Sequence, residues 1–282
     1  WRITTDSEAM RMTKAVAWAI KSRMTLFAAS PLYNDGNNYW EEAYSVNKAA
    51  VQALESNGYA LYDKLNQAAV WGDEKAYLPT AASQYFNEYF CNSGAYAADP
   101  ADKETIYQLR DGANLELANV DGIGAILGYK TGTCPSQELV DAFETIDGQP
   151  VLDLAKPYLD EQHLKPNYNS SNTTYDKNNP YANRDPRFYA SIVYNTCTWN
   201  GRTIAEAPGE TDDMSKANAS RTGYYLRKFL TDELNLTQGQ TAQHNWVMFR
   251  YAEVLLNYAE AVNEAYGPSV VPAGFVMSAK AA

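Results

Sequence analysis

The chain carries 22 tyrosines, 6 tryptophans and 23 asparagines in 282 residues, a large stock of flat rings with polar handles set beside planar amides. Such residues can work at a wet binding surface, the ring offering an apolar face with a polar handle and the amide both a donor and an acceptor. The densest set runs from Trp71 to Tyr129. Within it Trp71, Tyr77, Tyr96, Tyr107, Arg110, Asn114 and Tyr129 are the candidate ligand-binding residues, with Trp199 as an outlier near a predicted hairpin tip.

Covalent chemistry finds little support. The two histidines, His163 and His244, lie far apart with no HExxH pair, which argues against catalytic zinc, and no GxSxG elbow supports a Ser-His-Asp arrangement. Gly122-Ile123-Gly124-Ala125-Ile126-Leu127-Gly128 has one residue too many for the dinucleotide fingerprint and no apolar strand before it, so it reads as a loop. Paired acids could serve a glycosidase, but 34 acidic residues offer no way to single out such a pair. Arg250, Glu253, Asn257 and Glu260 fall on one helical face and read as a polar seam between packed helices. Asp176-Lys177-Asn178-Asn179 and Asp212-Asp213 offer oxygen donors without EF-hand spacing, so no metal or cofactor is implied.

Charge narrows the partners. A formal net charge of −11 repels polyanions over most of the surface, so nucleic acid and anionic membranes are not expected partners. Cys91, Cys134 and Cys197 are too scattered for a disulfide scaffold and read as isolated thiols. No run approaches the ~20 apolar residues that span a bilayer. The chain starts without Met and trails off at Ala282, which suggests a trimmed single domain over residues 1–282, with any export signal or lipid-anchor cysteine outside it.

The elements that must position these residues are mainly helical. From Ser7 to Ala29 a predicted helix carries an apolar stripe of Met10, Ala17, Ile20, Met24 and Phe27, ending near Pro31. A second stripe of Trp40, Ala43, Tyr44, Ala50, Val51 and Leu54 is capped by Asn57-Gly58. Near the end, Val247, Tyr251, Val254, Leu255, Tyr258 and Val262 line a helix of about 20 residues that stops before Gly267-Pro268. Between Gly72 and Pro135 the periodicity fades, predicting short helices joined by long ordered loops. Arg187 to Tyr194 reads as a strand launched by Arg184-Asp185-Pro186, with Asn200-Gly201 as a hairpin turn downstream.

Four segments in order carry a resemblance. They are Lys21-Ser22-Arg23-Met24-Thr25-Leu26-Phe27-Ala28-Ala29-Ser30-Pro31-Leu32-Tyr33-Asn34, Pro135-Ser136-Gln137-Glu138-Leu139-Val140-Asp141-Ala142-Phe143, and Asn183-Arg184-Asp185-Pro186-Arg187-Phe188-Tyr189 with Thr222-Gly223-Tyr224-Tyr225-Leu226-Arg227-Lys228-Phe229. The fourth runs from Phe249-Arg250-Tyr251-Ala252-Glu253 to Asn263-Glu264. Together they resemble the SusD/RagB outer-membrane nutrient-binding lipoproteins of Bacteroidetes-type bacteria. Ser136 stands where the family usually has Thr.

The resemblance implies a mainly α fold, with tetratricopeptide-like helix pairs supporting a loop-rich ligand face and a small β-hairpin. It implies a non-catalytic, lipid-anchored protein of the outer cell surface that binds glycan in polysaccharide utilization. The partner it implies is a TonB-dependent, SusC-like outer-membrane transporter. A peptide-binding RagB-like protein or helical adaptor is the alternative, and a glycoside hydrolase a further one. The four segments are a structural signature and carry no ligand residues over.

Overall fold

A computed structural model describes residues 1–62, 78–91, 102–114, 121–124, 130–231, 235–240, 242–272 and 274. In chain order its helices are α1 (Lys14–Ala29), α2 (Trp40–Glu55), α3 (Ala81–Cys91), α4 (Gln137–Ala142), α5 (Pro186–Ser191) and α6 (Tyr251–Tyr266). The strands are β1 (Thr105–Asn114), β2 (Ile192–Val193), β3 (Thr198–Trp199), β4 (Arg202–Thr203), β5 (Tyr225–Leu226) and β6 (Ala242–Arg250). They form two-stranded sheets β1–β6, β2–β5 and β3–β4. Among the described residues the fold is therefore mainly helical, as expected. The chain divides into two compact units, one of Trp1–Tyr62, Ala95–Asp111 and Asn245–Ala282, the other of Asp63–Gly94 and Gly112–His244.

The first unit is built on α1, α2 and α6, which pack on one another. Its core combines Val16, Ala19, Leu26, Ala50, Val51, Leu54, Val254, Tyr258 and Val262. The α2 stripe is buried from Ala43 to Leu54, with Trp40 half-buried at its start, and Gly58 at φ 81 lets the Tyr59 N–H reach back to the Leu54 carbonyl at 3.1 Å. The α1 expectation is corrected in both start and face. Thr13, whose hydroxyl accepts from the Val16 N–H, caps the helix, and Ala15, Val16, Ala19, Ser22, Leu26 and Ala29 are its buried face. Ile20, Met24 and Phe27 are 41%, 60% and 52% exposed. Close helix approach selects small side chains, so a stripe chosen by size points to the wrong side.

A polar seam crosses this core. Ser22 Oγ donates to Asn47 Oδ1 at 2.5 Å and accepts from Asn257 Nδ2 at 2.9 Å, so one buried residue from each helix is satisfied by the others. Arg23 Nε and Nη2 hold both Glu253 oxygens at 2.6 and 2.8 Å, and Arg250 Nη1 donates to Glu104 Oε1 at 2.6 Å. Arg250, Glu253 and Asn257 thus serve the seam read from sequence, while Glu260 faces outward. The last helix is shorter than expected, beginning at Tyr251, because Val247 to Arg250 are extended in β6. Its partner β1 was read as loop and short helix.

The second unit is organised by side chains that bond to backbone. Asp185 accepts from the Arg187 N–H at 2.8 Å, and Pro186 in the first turn starts α5, so Arg187 to Ser191 are helical rather than a strand. Only Ile192 and Val193 are extended, paired antiparallel with Leu226 and Tyr225. The hairpin at Asn200-Gly201 is present: both residues have positive φ, 49 and 71, and Thr198 and Trp199 pair with Thr203 and Arg202. Gly124 is a packing glycine, since a Cβ there would clash with Asn218.

Candidate functional site

Of the eight sequence-predicted ligand residues, Trp71, Tyr77, Tyr96 and Tyr129 lie outside the described residues. Arg110 and Asn114 are in β1, with their side chains outside the description. Tyr107 is also in β1, where its ring is half-buried against the first unit's core. Trp199 is corrected: its ring has 0% exposure and packs with Ile123, Val193, Ile204 and Leu230. The Arg227 guanidinium lies 5.5 Å from that ring, so neither face is open to a ligand. The two-residue turn sets β3 back into the core.

The described residues bring a different group together, in the second unit. The ring of Phe188 is fully buried and stacks on Tyr181 and Tyr194, with centroids 6.2 and 5.1 Å away. Tyr181 and Tyr194 are half-buried, with ring centroids 4.5 Å apart. Tyr224 donates to Gln137 Oε1 at 2.9 Å and lies 3.5 Å, hydroxyl to hydroxyl, from Tyr181. Gln137 opens α4, which Ser136 caps by accepting from the Leu139 N–H at 3.3 Å, a role that a Thr hydroxyl can also fill.

Arg184 fixes the backbone beneath these rings. It is 1% exposed and donates to the carbonyls of Pro180, Val140 and Phe143, at 2.9, 2.5 and 2.8 Å. Its guanidinium lies 4.8 Å from the Phe188 ring. Burial lowers its pKa below the usual arginine value.

Glu206 is a titratable group in unusual surroundings. It follows the β3–β4 hairpin, its N–H donates to Asn195 Oδ1 at 3.1 Å, and its Oε1 is buried without a hydrogen-bond partner. Burial, with a smaller contribution from the Asp212 charge, pushes its carboxyl up to about 7. Tyr181, Tyr225 and Cys197 lie close enough to feel that charge. Such a carboxyl can donate to or accept from a ligand hydroxyl near neutral pH. Beside it, burial raises the pKa of the Cys197 thiol, which makes it an unreactive packing group.

A raised acid near a second acid is also the pattern of a glycosidase dyad. Here the second acid is committed. Asp212 has no side-chain exposure, its oxygens are held by both Arg202 amino groups, and Oδ2 also accepts from the Ala205 N–H at 2.9 Å. It closes the hairpin and offers no oxygen to a substrate. Sequence reasoning missed Tyr181, Tyr194 and Glu206; the one signal was the run of aromatics flanking Arg184-Asp185-Pro186.

The model of the SusD family matches residues 125–274, just over half of the chain and all of the cluster described above. The chain belongs to the SusD family. Three of the four segments that resemble it lie within the match, and their residues cap α4, clamp carbonyls and bridge α6, which are structural tasks. A SusD-like protein from Bacteroides fragilis NCTC 9343 is similar in structure, with a TM-score of 0.59, 24% identity, and coverage of 93% of this chain and 46% of that one. A SusD-like carbohydrate binding protein from the same organism has a TM-score of 0.61 and 21% identity, covering 93% and 42%. These likenesses are of fold, and the chain spans less than half the length of either SusD relative. Comparison with curated protein sequences finds no match. Among the described residues no helix is long and apolar enough to cross a membrane, and no group of His, Cys, Asp and Glu could hold a metal ion.

Proposed function

We propose that this chain is part of a non-catalytic, cell-surface glycan-binding protein that captures oligosaccharides and passes them to a TonB-dependent outer-membrane transporter. The observation that carries the proposal is the SusD-family match over residues 125–274. The half-buried rings of Tyr181 and Tyr194 beside the Glu206 carboxyl and Asn195 support it, because they pair an apolar face with polar partners as sugar recognition requires. One structural relative is itself described as carbohydrate binding. On this reading residues 1–282 act as one family domain, anchored by lipid through a segment outside the sequence. Trp71, Tyr77, Tyr96, Arg110, Asn114 and Tyr129 remain proposed contributors from the aromatic stretch.

Isothermal titration against soluble plant, host and microbial oligosaccharides and a few peptides tests the proposal, with chromatography of each mixture afterwards. Binding of an intact oligosaccharide is the expected result. Cleavage of the sugar overturns the non-catalytic role, and binding of peptides alone moves the protein to a RagB-like or adaptor role.

A further inference from the structure

A second aromatic feature lies outside the Tyr181–Tyr194 group, on the loop that follows residue 168. Tyr168 is 40% exposed and its ring sits 5.5 Å from that of half-buried Tyr175, tilted by 33°. The six residues between them have little apolar material to hold them. What holds them is Asn172, 8% exposed, whose amide donates to Thr145 Oγ1 and to the carbonyls of Gln149 and Pro150, at 3.1, 3.2 and 3.1 Å. Its oxygen accepts from the N–H groups of Thr174 and Tyr175, at 3.0 and 3.1 Å. One buried amide thus fixes both the turn and the start of the second ring's backbone, so the pair is ordered before any ligand arrives.

The polar edge is fixed as well. The Asp147 carboxylate accepts from Thr174 Oγ1 at 2.8 Å and from Thr145 Oγ1 at 2.5 Å, both hydroxyls belonging to the same pinned loop base. These bonds hold its pKa below the usual aspartate value. Asp147 is also exposed, so its carboxylate can accept from an outside hydroxyl. The feature also shares packing with the site described above. The buried Arg184 guanidinium lies 5.8 Å from the Tyr175 ring and 4.8 Å from Phe188, which stacks on Tyr181.

We propose that Tyr168 and Tyr175, presented by the Asn172-pinned loop beside the Asp147 carboxylate, form a stacking platform for a further sugar unit of the captured glycan. This rests on the glycan-binding reading and deepens it: the ligand is an oligosaccharide long enough to reach from the Tyr181–Tyr194 rings to Tyr168. Tyr168 supplies the open ring, Tyr175 backs it, and Asp147 accepts a hydroxyl.

The test is titration of the whole chain with maltohexaose, cellohexaose, xylohexaose and mannohexaose, comparing wild type with Tyr168→Ala and Tyr168→Phe at matched melting temperature. Tyr168→Ala is expected to weaken the hexasaccharide that wild type binds by roughly three- to tenfold, and Tyr168→Phe by less than twofold, since stacking needs the ring and not the hydroxyl. Wild-type binding with Tyr168→Ala unchanged overturns the platform and leaves the glycan-binding reading intact. Equal losses in both variants overturn stacking as the mechanism. Wild type binding none of the four overturns the platform together with that reading for these polymers.

Discussion

In the helical unit the backbone bonds to itself, and side chains need only fill space or complete a short polar seam. In the loop-rich unit the ladders are only two residues long, and buried polar side chains take up many of the remaining carbonyls and N–H groups. Leu54, Val51 and Ala50 represent the first arrangement, each with 0% exposure inside an apolar cluster. Arg184, Asn172 and Asp212 represent the second, buried at 1%, 8% and 1% exposure and bonded mainly to main-chain atoms or to a hairpin arginine. Each unit pairs most of its buried polar groups, by a different route. The difference bears on function, because a loop surface ordered by its own buried polar groups can hold rings in place with little help from helices. Aromatic edges can then stay accessible without the loop losing order.

The comparison is broken most directly by removing a polar organiser. Arg184→Met should lower stability by about 3 kcal/mol or more, because it removes a guanidinium that donates to three carbonyls at the base of the loops. Urea denaturation measures the loss. Hydrogen exchange should place the loosening in residues 137–185 and spare α1 and α2. Faster exchange in the helices to the same extent would mean that the two units do not rely on separate devices.

A smaller effect sharpens the helical half. Ala19→Leu, at a position 1% exposed, should cost about 1–3 kcal/mol through overpacking, whereas Met24→Gln, at 60% exposure, should stay within about 0.5 kcal/mol. Thermal melts of both variants check the assignment of the buried face of α1. The reverse order would restore the face read from residue size.

The smallest effect concerns Glu206. Its folded pKa is raised to about 7, so the neutral form is favoured in the fold, and its contribution to stability is fully present below the unfolded value. That contribution is lost as pH rises through about 7. Glu206→Gln should therefore flatten the decline in stability between pH 5 and pH 8, with the gain over wild type at the alkaline end. Parallel pH profiles for the two proteins would mean that the carboxyl is well solvated.

Much of the scaffold was legible because helical periodicity and turn chemistry act locally. The α2 stripe, the Asn57-Gly58 stop, the Asn200-Gly201 turn and the Arg250–Glu253–Asn257 seam follow from spacing and from the φ preferences of a few residues. Local signals were misread where two of them competed. Asp185-Pro186 suits both an extended entry and a helix N-terminus, and the capping bond to Arg187 decided for the helix. On α1, periodicity allowed either face, and close packing with α2 and α6 chose the alanines and Ser22.

The site is divided in the same way. Composition alone pointed to a ring-and-amide ligand surface, since tyrosine and asparagine are plentiful wherever they fall. It could not say which rings are covered. Trp199 is closed in by Arg227 and the hairpin core, while Tyr181 and Tyr194 are half-buried and Tyr168 is exposed. Exposure depends on which distant segments lie over a ring, as Arg184 joins Val140 to Phe188 and Asn172 joins Thr145 to Tyr175. Those contacts join residues far apart in the chain, so residue type and local spacing determined most of the helices and turns, while tertiary packing decided which side chains are covered and which are exposed.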